Sequence, residues 1–336
     1  MKPTIKDVAR LAQVSPSTVS RALRDNARIS EEMRRRVQQI ARELDFHPNQ
    51  MARGLVNRQT RIVGVLLPGP AALSFAHPFF TAILQVLGEV AARRHYHMLL
   101  ATGDEQRSEP EALRDMAESG YVSGMLCLAT HRCGAPLITD GLPLVELGHP
   151  RMGEGSYSVD NDNVAAGYAA ARHLLDHGHE RMLFLGHDEQ VFVTLDRLTG
   201  CHKALSERGI QPRPDWIISN HFLENPAEME QLERIFAAPD RPTAVVSMDT
   251  PLSIGLIGCL SGWGLTVPAD TSLVSFNDSP AGRYYSPALT TIDVGPRELG
   301  EKAMELLLDL VEGKAGPPTH LISPFTLIER DSVRKI

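Results

Sequence analysis

The sequence contains no G-x-G-x-x-G and no G-x-x-x-x-G-K-[ST] run, so nothing in it marks a loop that cradles phosphates. It also lacks H-E-x-x-H, G-x-S-x-G and any Cys/His nucleophile pattern, and no enzyme is expected. No apolar run approaches the roughly 18 residues of a membrane span, and no membrane partner is expected. Cysteine is sparse. Cys127, Cys133, Cys201 and Cys259 are scattered, without a C-x-x-C pair or metal-ligand spacing. They read as reduced core thiols, and neither a metal nor a cofactor is implied. The opening MKPTIKDVARL turns polar too soon for a secretory leader, which leads to the expectation of a cytoplasmic protein.

What is present is an uneven distribution of charge. The 336 residues carry a net charge of −7, yet the first 60 hold 12 Lys/Arg against 6 Asp/Glu. The other 276 hold 22 against 35. A basic head on an acidic body is expected where one end meets a polyanion and the rest is repelled by it. At 43% hydrophobic and 22% charged, the chain is otherwise ordinary globular material, long enough for a small module and a two-lobed body.

The head reads as three short helices. Thr4 with Asp7 makes a capping-box-like start, followed by Ile5, Val8, Ala9 and Ala12 at helical spacing. Ser15 caps a second helix that opens on Pro16, where the missing N–H costs nothing. Its apolar face is Val19, Ala22 and Leu23. Ser30-Glu31-Glu32 opens a third helix running to about Leu44. Only Gln13-Val14-Ser15 joins the first two, which forces a large crossing angle: a helix-turn-helix. The turn carries Gln13 where glycine is common, at a cost of about 1 kcal/mol if φ is positive. The second helix presents Ser17, Thr18, Ser20 and Arg21, side chains suited to phosphates and base edges. After it, His47–Thr60 is a weak helix carrying an apolar Leu55 that a minor-groove wedge explains better than a core.

TIKDVARLAQVSPSTVSRAL, ISEEMRRRV and HPNQMARGL together resemble the lactose/galactose repressor family, and the likeness extends over the chain. The resemblance implies base reading by Pro16, Ser17 and Arg21, and phosphate contacts by Thr18 and Ser20. It implies that Asn49 and Ala52 line the minor groove and that Leu55 intercalates. The partner is then pseudo-palindromic double-stranded operator DNA, and the protein is expected at the nucleoid.

From Arg61 short apolar strands alternate with amphipathic helices, the pattern of parallel sheets flanked by helices. Strands are predicted at 61–68, 97–102, 124–129 and 144–147, then at 181–186, 244–248 and 273–276. Helices are predicted near 79–95, 165–177, 198–208 and 251–263. Two such sets mean two lobes with a ligand cleft between them at the strand carboxyl ends. The fold class is therefore a small all-α helix-turn-helix domain, 1–46, a hinge helix, 47–60, and an α/β effector-binding and dimerisation domain, 61–336. The family implies that the last is periplasmic-binding-protein-like, with crossings near Asp160, Thr290 and Ser323. The first lobe is then about 61–159 and 291–322, and the second about 160–290 and 323–336.

The expected effector residues lie just after strands. Arg197, read as preceding a helix start, can grip sugar hydroxyls with its fork. Asp249 follows AVVSM and either accepts from a ligand or only caps the next helix. Asn277 stands where the family usually has an acid, and Met248 where it has an asparagine. Phe222 falls where the family stacks an aromatic ring on the ligand. Leu73 and Phe75, with His77-Pro78-Phe79-Phe80, line the other side. Asp162 is counted with them, in the run VDNDN that resembles the maltose-type and glucoside regulators. His131, His149, His187 and His202 read as surface or cap residues.

The leading reading is a regulator, in all likeness to the family a repressor of sugar-utilisation genes, controlled by a di- or oligosaccharide. The alternatives are a regulator answering to a phosphosugar or purine, and a cytoplasmic sugar-binding protein with no DNA role. A tail without leucine heptads leads to a homodimer rather than a tetramer.

Overall fold

The computed structural model describes residues 3–23, 25–26, 28–46, 60–103, 108–128, 139, 141–150, 155–186, 191–219 and 225–336. Asn49, Ala52, Leu55, Phe222, His131 and His187 therefore lie outside the described residues. The chain divides into two compact units, Met1–Thr60 and Arg61–Ile336.

Among the described residues of the first unit three helices form, α1 (Ile5–Ala12), α2 (Pro16–Ala22) and α3 (Glu31–Glu43). Their starts are chemically marked. The Asp7 carboxylate accepts from the Thr4 N–H at 2.9 Å, Ser15 Oγ accepts from the Thr18 N–H at 3.1 Å, and Ser30 Oγ from the Met33 N–H at 3.4 Å. Gln13 does take the left-handed conformation, φ 55°, so the strain expected for a non-glycine in this turn is present. The core is made of small side chains: Val8, Ala9, Ala12, Val19, Ala22, Val37 and Ala41. Small residues let the helices approach closely, which keeps the turn tight.

The second unit contains two six-stranded sheets. The first runs β11-β5-β4-β3-β1-β2 and is built from β1 (Ile62–Pro70), β2 (His97–Gly103), β3 (Met125–Leu128), β4 (Leu144–Leu147), β5 (Tyr157–Asn161) and β11 (His320–Ser323). The second runs β12-β10-β9-β8-β6-β7, from β6 (Met182–Gly186), β7 (Ile217–Ser219), β8 (Ala244–Ser247), β9 (Ser272–Phe276), β10 (Thr290–Asp293) and β12 (Thr326–Ile328). All pairings are parallel except β10 with β12. Alternate residues of β1 enter two different cores: Val63, Val65 and Leu67 in one, Leu66 in the other. The centre of the first sheet is thus covered on both faces, as expected of a parallel sheet.

The helices that matter to the site are α4 (Ala71–Ala76), α5 (Pro78–Arg93), α6 (Glu109–Glu118), α7 (Asn163–Asp176), α8 (Phe192–Glu207), α9 (Pro226–Ala237), α10 (Thr250–Gly262), α11 (Pro280–Tyr284) and α12 (Pro296–Val311). The chain passes between the sheets after β5, after β10 and after β11. The second passage falls at Val294–Gly295 rather than near Thr290, because Thr290–Ile292 pairs with Val274–Phe276 and so belongs to the second sheet. Helix α8 starts six residues before the predicted Leu198. Phe192, Val193 and Thr194 are poor helix formers, and packing against α7 overrides that preference. The contact is backbone to backbone: a Cβ on Gly167 would lie 2.0 Å from the carbonyl oxygen of Arg197, and one on Gly200 2.0 Å from that of Val164.

Candidate functional site

On α2, Pro16, Ser17 and Arg21 are exposed and Thr18 and Ser20 are half-buried. Ser15 Oγ lies 2.7 Å from Ser17 Oγ and 2.9 Å from Thr18 Oγ1, so three hydroxyls gather at the helix N-terminus. Val19 and Ala22 anchor the opposite face in the core. The helix therefore offers a polar, hydrogen-bonding strip over a fixed apolar base, a geometry suited to a groove of DNA.

In the second unit a cavity of about 290 Å³ opens at the carboxyl ends of both sheets. From the first lobe it is lined by the end of β1, by Leu73, His77, Phe79 and Phe80, and by Leu128, Leu147 and His149. Asp160 and Asn161 come from the end of β5. From the second lobe come Asn163, Val191, Val193, Arg197, Met248 and Asn277. Phe79 packs against the cores of both lobes while lining the cavity.

Arg197 is held rigidly. It lies in the second turn of α8, not before a helix, and is 5% exposed. Nε donates to Asn163 Oδ1 at 3.0 Å, and Nη1 donates to the Met248 carbonyl at 3.2 Å and contacts its Sδ at 3.0 Å. The guanidinium lies over the Phe276 ring at 4.1 Å. Among the described residues Nη2 has no acceptor, which leaves one arm of the fork for a ligand. Burial pushes the guanidinium down to about 10, against the pull of Asp160 and Asp249, so it stays cationic at neutral pH.

Asn277 takes the left-handed conformation, φ 63°, which asparagine tolerates. Its Oδ1 is buried and has no partner among the described residues. Asp160 accepts from the Asn161 N–H at 2.7 Å and from Asn163 Nδ2 at 3.1 Å. Burial nonetheless pushes its carboxyl up to about 6.

Three expected residues are placed elsewhere. Asp162 is exposed and caps α7, accepting from the Ala165 N–H at 2.8 Å; its neighbours Asp160 and Asn163 reach the wall instead. Phe75 is exposed and outside the lining, because on α4 it lies two residues from Leu73 and so on another face. Asp249 is wholly buried behind Met248. It caps α10 through the Leu252 N–H at 2.8 Å and meets His77 Nε2 at 3.0 Å. His149, read as a surface residue, lines the cavity and stacks on Phe192 at 4.3 Å. Asp160 and Asn163 were not singled out as effector residues from the sequence; the VDNDN run, where a strand ends and a helix begins, gives no sign of which acid faces inward.

Residues 4–49 match the model of the bacterial regulatory proteins, lacI family, and residues 171–333 match that of the periplasmic binding protein-like domain. The chain is 32% identical over 316 residues to the HTH-type transcriptional regulator MalR of Streptococcus pneumoniae, covering 93% of each. It is 30% identical over 333 residues to the ribose operon repressor of Haemophilus influenzae, covering 98% of each. Among solved structures it resembles the CelR–cellobiose complex, a transcriptional regulator, with TM-score 0.74 and 27% identity over 98% of this chain and 99% of that one. The lac repressor dimer bound to operator and the anti-inducer ONPF shares the fold, with TM-score 0.81 at 24% identity over 99% of this chain and 100% of that one. With relatives this similar over nearly its whole length, the chain belongs to the lacI family of bacterial regulatory proteins, DNA-binding transcriptional regulators with a helix-turn-helix head.

Proposed function

We propose that this regulator represses sugar-utilisation genes from a pseudo-palindromic operator and is controlled by a disaccharide or short oligosaccharide in the cleft. The observation that carries the reading is the cavity at the carboxyl ends of both sheets, with a rigid Arg197 donor and the amide-bearing Asn277 in its wall. Hydroxyl groups both accept and donate, which is what this pair requires. Leu73, Phe79 and Phe80 supply an apolar surface for the C–H faces of a sugar ring. At about 290 Å³ the space is at the small end of ligand pockets, which favours one or two rings. The cellobiose in the CelR complex supports a disaccharide effector.

On the DNA side, Pro16, Ser17 and Arg21 read bases, Thr18 and Ser20 hold phosphates, Asn49 and Ala52 follow the minor groove, and Leu55 wedges into it. The working form is a cytoplasmic homodimer. Leu99 and Leu100 on the edge strand β2, and Tyr284 on α11, are exposed apolar groups that a second copy would cover. Among the described residues, no helix is long and apolar enough to cross a membrane.

A thermal-shift screen of mono- and disaccharides, phosphosugars and purines tests the effector class, because a bound ligand raises the melting temperature by mass action. A disaccharide is expected to give the largest shift. A shift confined to phosphosugars or purines overturns the sugar reading.

A further inference from the structure

Two histidines of the first lobe each meet an aspartate of the second. His77 Nε2 lies 3.0 Å from Asp249 Oδ2, and His149 Nδ1 lies 3.3 Å from Asp196 Oδ2. We propose that these two pairs are clasps that tie the lobes to each other across the cleft, and that the effector acts by favouring or opposing them.

The first clasp is the strong one. Its side chains are 10% and 1% exposed, and each is pinned at both ends. His77 caps α5: its Nδ1 accepts from the Phe79 N–H at 3.2 Å. A nitrogen that accepts carries no proton, so the proton sits on Nε2 and is donated to Asp249. Asp249 caps α10 through its other oxygen, which accepts from the Leu252 N–H. A helix start in one lobe is therefore tied to a helix start in the other through two side chains already ordered by capping. Little rotamer entropy is left to lose, and the bond is charge-assisted. Opening the lobes would remove the His77 donor from a buried carboxylate.

The second clasp stands at the rim. The His149 ring stacks on Phe192 at 4.3 Å with planes 6° apart, and the pair is partly exposed. It contributes less than the buried pair. Phe192 and Asp196 both lie on α8 beside Arg197, so the rim clasp grips the helix that carries the proposed ligand donor. An effector then has leverage only through unequal affinity for the clasped and unclasped arrangements.

The test is hydrogen exchange on the full-length chain without sugar, comparing wild type with His77→Asn and Asp249→Asn. Asparagine can cap a helix, so both variants keep their caps. His77→Asn is too short to reach Asp249, and Asp249→Asn turns an N–H toward the Nε2–H. Amides of 73–81 and 248–254 are expected to exchange at least tenfold faster in either variant, with those of β6 and β9 unchanged. The double variant should be no faster than the singles. Equal exchange in variants and wild type, or wholly additive effects in the double variant, would overturn the clasp. If β6 slows or speeds in His77→Asn, Asp249→Asn alone decides by the same criteria.

Discussion

The side-chain amide of Asn161 donates to the backbone carbonyl of Val294 at 2.9 Å. The same nitrogen donates to the carbonyl of Ser323 at 3.0 Å. These three residues lie at the three passages between the lobes, so one buried amide ties all of them. Asn161→Leu, of similar size, removes the donor and leaves two buried carbonyls without it. The expected cost is about 1–3 kcal/mol, read as a lower midpoint in urea. An unchanged midpoint would mean that the passages are held by other contacts.

Helix α8 is set against α7 through Gly167. Gly167→Ala puts a methyl 2.0 Å from the Arg197 carbonyl oxygen, closer than any real contact. The two helices must separate, at about 1–3 kcal/mol. Arg197 moves with its backbone, so effector affinity should fall along with stability. Calorimetry and ligand titration on the same variant check both, and a loss of stability with affinity intact would separate the packing from the site.

Asp160 gives a pH dependence with a definite sign. Burial raises its folded value to about 6, against 3.8 when exposed. The folded state therefore resists its ionisation. Above about pH 6 that resistance costs stability in full, it shrinks as the pH falls from 6 toward 3.8, and it is absent below. Asp160→Asn should thus be more stable than wild type at pH 7.5 by about 1–2 kcal/mol, with the gain fading by pH 4. Melting curves at the two pH values measure it; a gain that is the same at both would assign it to something other than ionisation.

The three-helix head was legible because its caps are local. Thr4, Ser15 and Ser30 announce their helices within three residues, and Gln13 announces its own strain. Strands such as β1, β3, β8 and β9 were legible for a similar reason, their apolar runs being buried on both faces. Short strands such as Ile217–Ser219 and Thr326–Ile328 were not, since three residues carry no period. The start of α8 was hidden because Phe192, Val193 and Thr194 argue for a strand until the glycine contact with α7 is known. Arg197, Leu73 and Asn277 could be picked out by position after or near a strand. The partnership of His77 with Asp249 could not, because 172 residues separate them and only the closed lobes bring them together.

The head makes a prediction of its own. Ser15→Ala removes the acceptor for the Thr18 N–H and should cost about 1 kcal/mol of stability, with weaker binding to every DNA sequence alike. Arg21→Ala should instead change which bases are preferred, by about 1–3 kcal/mol at one position of each half-site. Binding-site selection on both variants separates them; the same consensus from Arg21→Ala as from wild type would remove that residue from the reading face.

In the proposed mechanism one chain joins operator binding to a sugar held by Arg197. The most direct measurement is a gel shift on operator DNA with a sugar titration, on wild type and on Arg197→Met, which keeps the length and removes the donors. Wild type should release or tighten on operator as sugar is added. Arg197→Met should bind operator within about twofold of wild type and ignore the sugar, since a ligand shifts an equilibrium only through contacts that differ between states. A full sugar response from Arg197→Met would contradict the account.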